Sequence, residues 1–218
     1  GDIDVAIQVD PDKIPELVKR LDATPEVLDI AKSSVIMTKV KIVDYDESKQ
    51  TSKPRTGYVQ VDFMPGDPGW MKTYYHSPSE SESKYKGVFR NIMIASIAAV
   101  HDRKDSAETI EDGRAVESER WMWSPADGLV RIKRTPVPKA NGTGYTKKNK
   151  NETIAEPIKD ADGIAKALDL DSAADLNSYE SLKAAMEKNY PAEKVTKILQ
   201  SFANNHIVQD IGVPEDLQ

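Results

Sequence analysis

Residues 131–157, RIKRTPVPKANGTGYTKKNKNETIAEP, constrain this 218-residue chain more than any other stretch. Arg131, Lys133, Arg134, Lys139, Lys147, Lys148 and Lys150 all precede the first acid, Glu152. Pro136, Pro138 and Pro157 punctuate the run, and from Pro138 to Glu152 no aliphatic side chain is larger than Ala140. So little burial cannot offset the entropy of ordering the segment, so it predicts a mobile arm that orders only against a neighbouring chain. The arm divides the sequence into an α+β domain at 1–134, a basic Pro/Gly/Asn-rich linker at 135–157 and an acidic helical segment at 158–218.

The hydrophobic pattern supports that division. Ile3, Val5, Ile7 and Val9 alternate as a half-buried strand. Asp10-Pro11 gives a cap and a first-turn proline for a helix carrying Ile14, Leu17, Val18 and Leu21. Thr24-Pro25-Glu26 predicts a second helix through Val27, Leu28, Ile30 and Ala31. Strands are expected at 35–43, 56–63 and 70–76, with a polar loop at 44–54 and a turn at MPGDPG. Residues 86–100 are apolar over more than one stripe, which predicts a long, largely buried helix. Residues 116–123 and 129–133 should pair as a hairpin across Ser124–Gly128. The first domain therefore reads as a mostly antiparallel sheet packed with a long helix. After the arm, three short helices are expected: one over Ile164–Leu168, one opened by a capping box at Asn177–Glu180, and one started by Tyr190-Pro191.

The chain has no cysteine, which excludes disulfides, thiolate catalysis and cysteine-ligated metal. Its longest apolar-rich run, Ile92–Val100, is far short of the ~20 residues of a membrane span. GDIDVAIQVD shows neither the basic nor the apolar region of a signal peptide. The net charge of −6 is unevenly spread: from Ile158 onward eleven acids face six lysines, leaving −5 directly after the basic arm. Hydrophobic residues are 39% of the chain, which suggests a modest core and reliance on partners.

Few motifs carry chemistry. His76, His101 and His206 show no metal-ligand spacing, and no nucleophile elbow is present. Asp160-x-Asp162-Gly163 lacks the later acids of a calcium loop, so helix caps explain these aspartates. An enzyme would need a site assembled in space, with His76, Asp62 and Glu80 as candidates. No cofactor or metal is expected. Trp121 and Trp123 flank Met122 in a strand and should share a face, serving either the core or a sheet-face interface. The arm could be a plain linker, an assembly arm or a phosphate contact. Tyr145 is its one aromatic, whereas single-strand recognition stacks several, and the acidic segment repels nucleic acid. Assembly therefore ranks above nucleic acid, with Arg131, Lys133, Arg134, Lys139, Tyr145, Lys147, Lys148, Lys150, Trp121 and Trp123 as the partner-binding candidates.

DPDKIPELVKRLDATPEVLDIAKSS at 10–34, KPRTGYVQVDF at 53–63 and KYKGVFRNIMIASIAAVHDRK at 84–104 together resemble the head–tail joining and tail-completion proteins of tailed bacteriophages. Pro54-Arg55-Thr56-Gly57 stands where that family has its turn into a strand. The strand expected at 35–43 departs from the family pattern, and the sequence beyond residue 110 has no counterpart in it. The resemblance implies a non-enzymatic structural subunit of a symmetric assembly at the neck or tail. It would contact copies of itself in a ring or shell and neighbouring virion proteins, in the virion or in host cytoplasm during assembly. The alternative is a nucleic-acid-binding protein using residues 131–150.

Overall fold

The computed structural model describes residues 2–33, 35–106, 110–111, 114–115 and 117–218, the side chains of 110–111, 114–115 and 147 excepted. The fold is α+β, as the sequence predicts, but the chain divides at Met71 rather than in the basic stretch.

The first unit, residues 1–71, is built on a four-stranded sheet. Its strands are β1 (Asp2–Ile7), β2 (Val27–Lys32), β3 (Ile36–Asp46) and β4 (Thr51–Pro65), in the order β1-β4-β3-β2. β1 runs parallel to β4, and the other pairs are antiparallel. The helix α1 (Ile14–Asp22) connects β1 to β2 and half-buries Ile14, Leu17, Val18 and Leu21.

Two expectations fail here. Residues 27–32 form β2, not a helix, because pairing with β3 satisfies their backbone and outweighs a weak local signal. Thr24 ends a helix instead of starting one: its hydroxyl donates to Arg20 O at 2.9 Å. The polar stretch 44–54 is a loop only at the turn 47–50. Val43 pairs with Pro54, Asp44 with Lys53, Tyr45 with Ser52 and Asp46 with Thr51, so β3 and β4 run on as a two-stranded ribbon. Pro54–Gly57 lies inside β4, where the register slips between Lys41 and Val43. Gly57 sits there at φ +117°, a backbone state that side-chain-bearing residues rarely adopt.

Residues 70–76 were expected as a strand, but α2 (Pro68–Tyr74) forms there. Asp67 Oδ1 accepts from Gly69 N at 2.9 Å and Trp70 N at 3.3 Å, and Pro68 opens the helix. This is the Asp-Pro signal of Asp10-Pro11 repeated.

The second unit, residues 72–218, is layered around α3 (Gly87–Val100). On one side lies an antiparallel sheet of β5 (Lys104–Asp105), β8 (Ser118–Ser124), β9 (Gly128–Pro138) and β10 (Tyr145–Thr153), in the order β10-β9-β8-β5. The short strands β6 (Ile110–Glu111) and β7 (Arg114–Ala115) pair with each other. On the other side of α3 are α5 (Tyr179–Asn189) and α6 (Ala192–Ala203), with α4 (Ala161–Ala167) before them and α7 (His206–Ile211) after. Packing on both sides explains why α3 is apolar nearly all round, with Met93, Ile94 and Ile97 fully buried.

The basic stretch is therefore not a mobile linker. Residues 132–138 pair with residues 145–153, with a register shift between Tyr145 and Asn149, and the chain then returns along β9. Ile154 N donates to Arg131 O at 2.9 Å, and Leu129 and Ile158 exchange bonds of 2.8 and 2.9 Å. Strand pairing supplies the backbone partners that its side chains do not demand. Gly128 makes the return possible: a Cβ there would sit 2.5 Å from Ile158 O.

The C-terminal helices are four, not three, and they dock on their own chain. Phe89 of α3 lies 5.8 Å from Phe202 and 6.5 Å from Tyr179, with Tyr85 4.9 Å from Tyr179. Such aromatic pairs add ~0.5–1.5 kcal/mol each beyond their buried area. The capping box is one residue later than expected. Ser178 Oγ accepts from Ser181 N at 3.1 Å, and Ser181 Oγ accepts from Ser178 N at 2.9 Å.

Candidate functional site

The sequence-predicted residues fall into a buried group and an exposed group. Arg131 is buried on β9, its Nη2 donating to Asp102 O at 2.7 Å and lying 3.5 Å from Asp102 Oδ2. Its guanidinium stands 5.3 Å from the ring of Trp121, its cross-strand partner. Trp123, on the same face, is buried, stacked on Tyr74 at 5.5 Å with Nε1 3.4 Å from Asn91 Oδ1. Trp123 thus packs against Tyr74 and Asn91, and Arg131 is tied to Asp102 and Trp121. Lys133 pairs with Glu117 at 3.0 Å, and that hydrogen-bonded carboxylate raises its pKa. Arg134 lies cross-strand from Asn151 and is half-buried.

The exposed group is at the far end of the β9–β10 ribbon. Lys139 lies in the connecting turn, and Lys148 and Lys150 lie on β10. All three are exposed and make no ion pair among the described residues. Tyr145 and Val137 are exposed beside them. The side chain of Lys147 lies outside the described residues.

Two depressions in the second unit escaped the sequence reading. The larger is an apolar groove of about 780 Å³ along α3, lined by Val88, Ile92 and Ala95 together with Tyr75, Trp123 and Ile207. Its sequence signal is the helical spacing of Val88, Ile92 and Ala95 within a helix too apolar for one buried stripe.

The smaller is a polar cleft of about 530 Å³, lined by Lys72, His76, Glu82, Arg90, Ala174 and Asn177 among others. His76 Nε2 lies 2.7 Å from Asn177 Oδ1, to which it donates. Glu82 Oε2 accepts from Ser79 N at 2.9 Å and Ser79 Oγ at 2.7 Å. Those bonds, with Asn177 and His76 adding to them, hold its pKa below the usual carboxylate value. Arg90 forms the floor: Nε donates to Leu176 O at 2.6 Å, and Nη1 to Thr73 O at 2.9 Å, Tyr74 O at 3.1 Å and Asn91 Oδ1 at 3.1 Å. The carboxylate beside His76 is therefore Glu82 and not Glu80, and Asp62 belongs to the other unit.

One group of acids could approach a cation among the described residues. Asp2, Asp4 and Asp62 bring carboxylate oxygens within 4.8 Å of one another on β1 and β4. Gln60 Nε2 already donates to both oxygens of Asp62, at 2.9 and 3.1 Å, so the trio reads as a solvated acidic edge. No helix among the described residues is long and apolar enough to cross a membrane. No family model, curated protein or solved structure matches the chain.

Proposed function

We propose that this chain is a non-enzymatic assembly subunit that associates with copies of itself through the β9–β10 ribbon. The observation that carries this reading is the unpaired, exposed charge of Lys139, Lys148 and Lys150 at the ribbon end. The helices of the same unit carry the opposite sign, with Asp162, Asp210 and Glu215 exposed and outside any ion pair among the described residues. A ribbon of one copy against the helical layer of the next is a head-to-tail contact, which closes into a ring when the rotation allows. A two-stranded ribbon alone is marginal in water, so a neighbour that covers Val137 and Tyr145 also stabilises it. Such a ring suits the head–tail joining role that the resemblance at residues 10–104 suggests.

Light scattering on size-fractionated full-length chain tests the reading. The expected mass is a multiple of 24.2 kDa in dilute salt. It should fall towards one copy as ionic strength rises from about 0.05 to 0.5 M. The triple variant Lys139→Glu, Lys148→Glu, Lys150→Glu should stay monomeric throughout. A wild-type chain that is monomeric at every concentration and salt overturns the proposal.

The ribbon also favours a second reading, since a two-stranded β-ribbon is one of the shapes a DNA major groove admits. Under it, duplex DNA binding weakens steeply with salt, and the same triple variant abolishes it.

A further inference from the structure

The polar cleft holds an arginine whose charge is not matched. Arg90 is 2% exposed, and no carboxylate lies within 4 Å of it among the described residues. Its Nε and Nη1 are fully engaged by Leu176, Thr73, Tyr74 and Asn91. Among the described residues Nη2 has no hydrogen-bond partner. Arg90 lines the cleft, and Nη2 is the guanidinium nitrogen left for a ligand there. Burial without a counter-charge lowers the guanidinium pKa to about 10, with Tyr74 acting weakly the other way.

We propose that this cleft binds a small carboxylic acid, whose carboxylate pairs with Arg90 Nη2 at the floor and Lys72 at the rim. The charge count selects the ligand class. Lys72 and Arg90 are the cations of the lining, Glu82 is its carboxylate, and His76 faces Asn177 through Nε2. Two cations beside one carboxylate suit a monoanion and disfavour a phosphate dianion, which Glu82 repels. Ala161, Ala173, Ala174 and Leu176 form an apolar wall, so a short hydrocarbon body fits beside the carboxylate. A volume of 530 Å³ lies within the range of small-ligand sites. The acid can be a free metabolite-sized molecule or the carboxy terminus of a peptide ending in a small apolar residue, because both present the same group.

Calorimetric titration of the full-length chain distinguishes these. The probes are acetate, butyrate, hexanoate, butyramide, inorganic phosphate, and acetyl-Ala-Val as free acid and as amide. Butyrate should bind more tightly than acetate, and butyramide and phosphate at least tenfold more weakly. Acetyl-Ala-Val acid binding as tightly as butyrate assigns the peptide source, and binding of free acids alone assigns the small molecule. Lys72→Glu and Ala174→Trp, both at exposed positions, should each weaken butyrate at least tenfold without changing the melting temperature. Butyrate affinity unchanged in both variants overturns the proposal, as does phosphate binding more tightly than butyrate or no saturable binding by any carboxylate.

Discussion

The Ser83 hydroxyl donates to Glu180 Oε2 at 2.6 Å, joining the loop before α3 to the first turn of α5 across 97 positions of chain. The other carboxylate oxygen of Glu180 accepts from Lys84 N at 3.3 Å. Ser83 is buried, so its loss leaves a carboxylate without its closest donor. A hydrogen bond to a charged group contributes ~1.5–3 kcal/mol. Ser83→Ala should therefore destabilise the chain by ~2 kcal/mol in urea denaturation. Glu180→Ala should cost a similar amount, and the double variant little more than either. Additive losses would show that the two side chains act independently.

The basic stretch gives a second prediction. Gly128 has φ +97°, and a Cβ there would come within 2.5 Å of Ile158 O and 3.1 Å of Ile158 C. The obstacles are backbone atoms, which cannot swing aside. Gly128→Ala should break the Leu129–Ile158 pairing and cost more than ~2 kcal/mol. Hydrogen exchange should show the loss first at Leu129 and Ile158. If residues 131–157 were a free linker, the substitution would leave stability unchanged.

What the sequence made legible was local and periodic. The run at Val88–Val100 predicts a buried helix because its apolar pattern needs no partner to be read. The β8–β9 hairpin was legible for the same reason, with turn residues flanked by apolar strands. Residues 145–153 were not legible, since what orders them is the unpaired edge of β9, a long-range partner invisible in YTKKNKNET. Residues 27–32 were misread because β3 overrides their weak helical signal. The polar cleft was hidden most deeply. It gathers Lys72, His76, Arg90 and Asn177 from three separate stretches, and a guanidinium's burial leaves no periodic trace.

The one-residue shift of the α5 capping box separates two neighbours by role. Ser178 caps the helix, while Asn177 faces outward to His76. Ser178→Ala should cost ~1 kcal/mol, typical of a lost N-cap. Asn177→Ala should leave the cap intact and instead release the His76 tautomer. Nitrogen-15 chemical shifts of the imidazole read this directly: the Nε2-protonated form dominates in the wild type, and a tautomer mixture is expected in the variant. Equal stability losses with an unchanged imidazole spectrum would contradict that division.

His101 closes α3 and titrates against its own burial. It is 4% exposed, its ring stacked on Tyr190 at 5.0 Å and Nε2 3.1 Å from Asp169 Oδ2. Desolvation, aided by Lys194, outweighs the Asp169 and Asp102 carboxylates and lowers the imidazole pKa from its ordinary 6.5. On acidification the unfolded chain takes up this proton first, so just below 6.5 it holds more protons than the folded chain. Stability from this group is then fully present above 6.5 and is lost as pH falls through the folded value. Asp169→Asn removes a carboxylate that favours the charged ring, so it should lower the folded pKa further and extend the loss to lower pH. His101→Gln should flatten the melting-temperature profile across the same window, whatever its effect at neutral pH. A profile with the same slope in wild type and His101→Gln would assign the acid sensitivity to other groups.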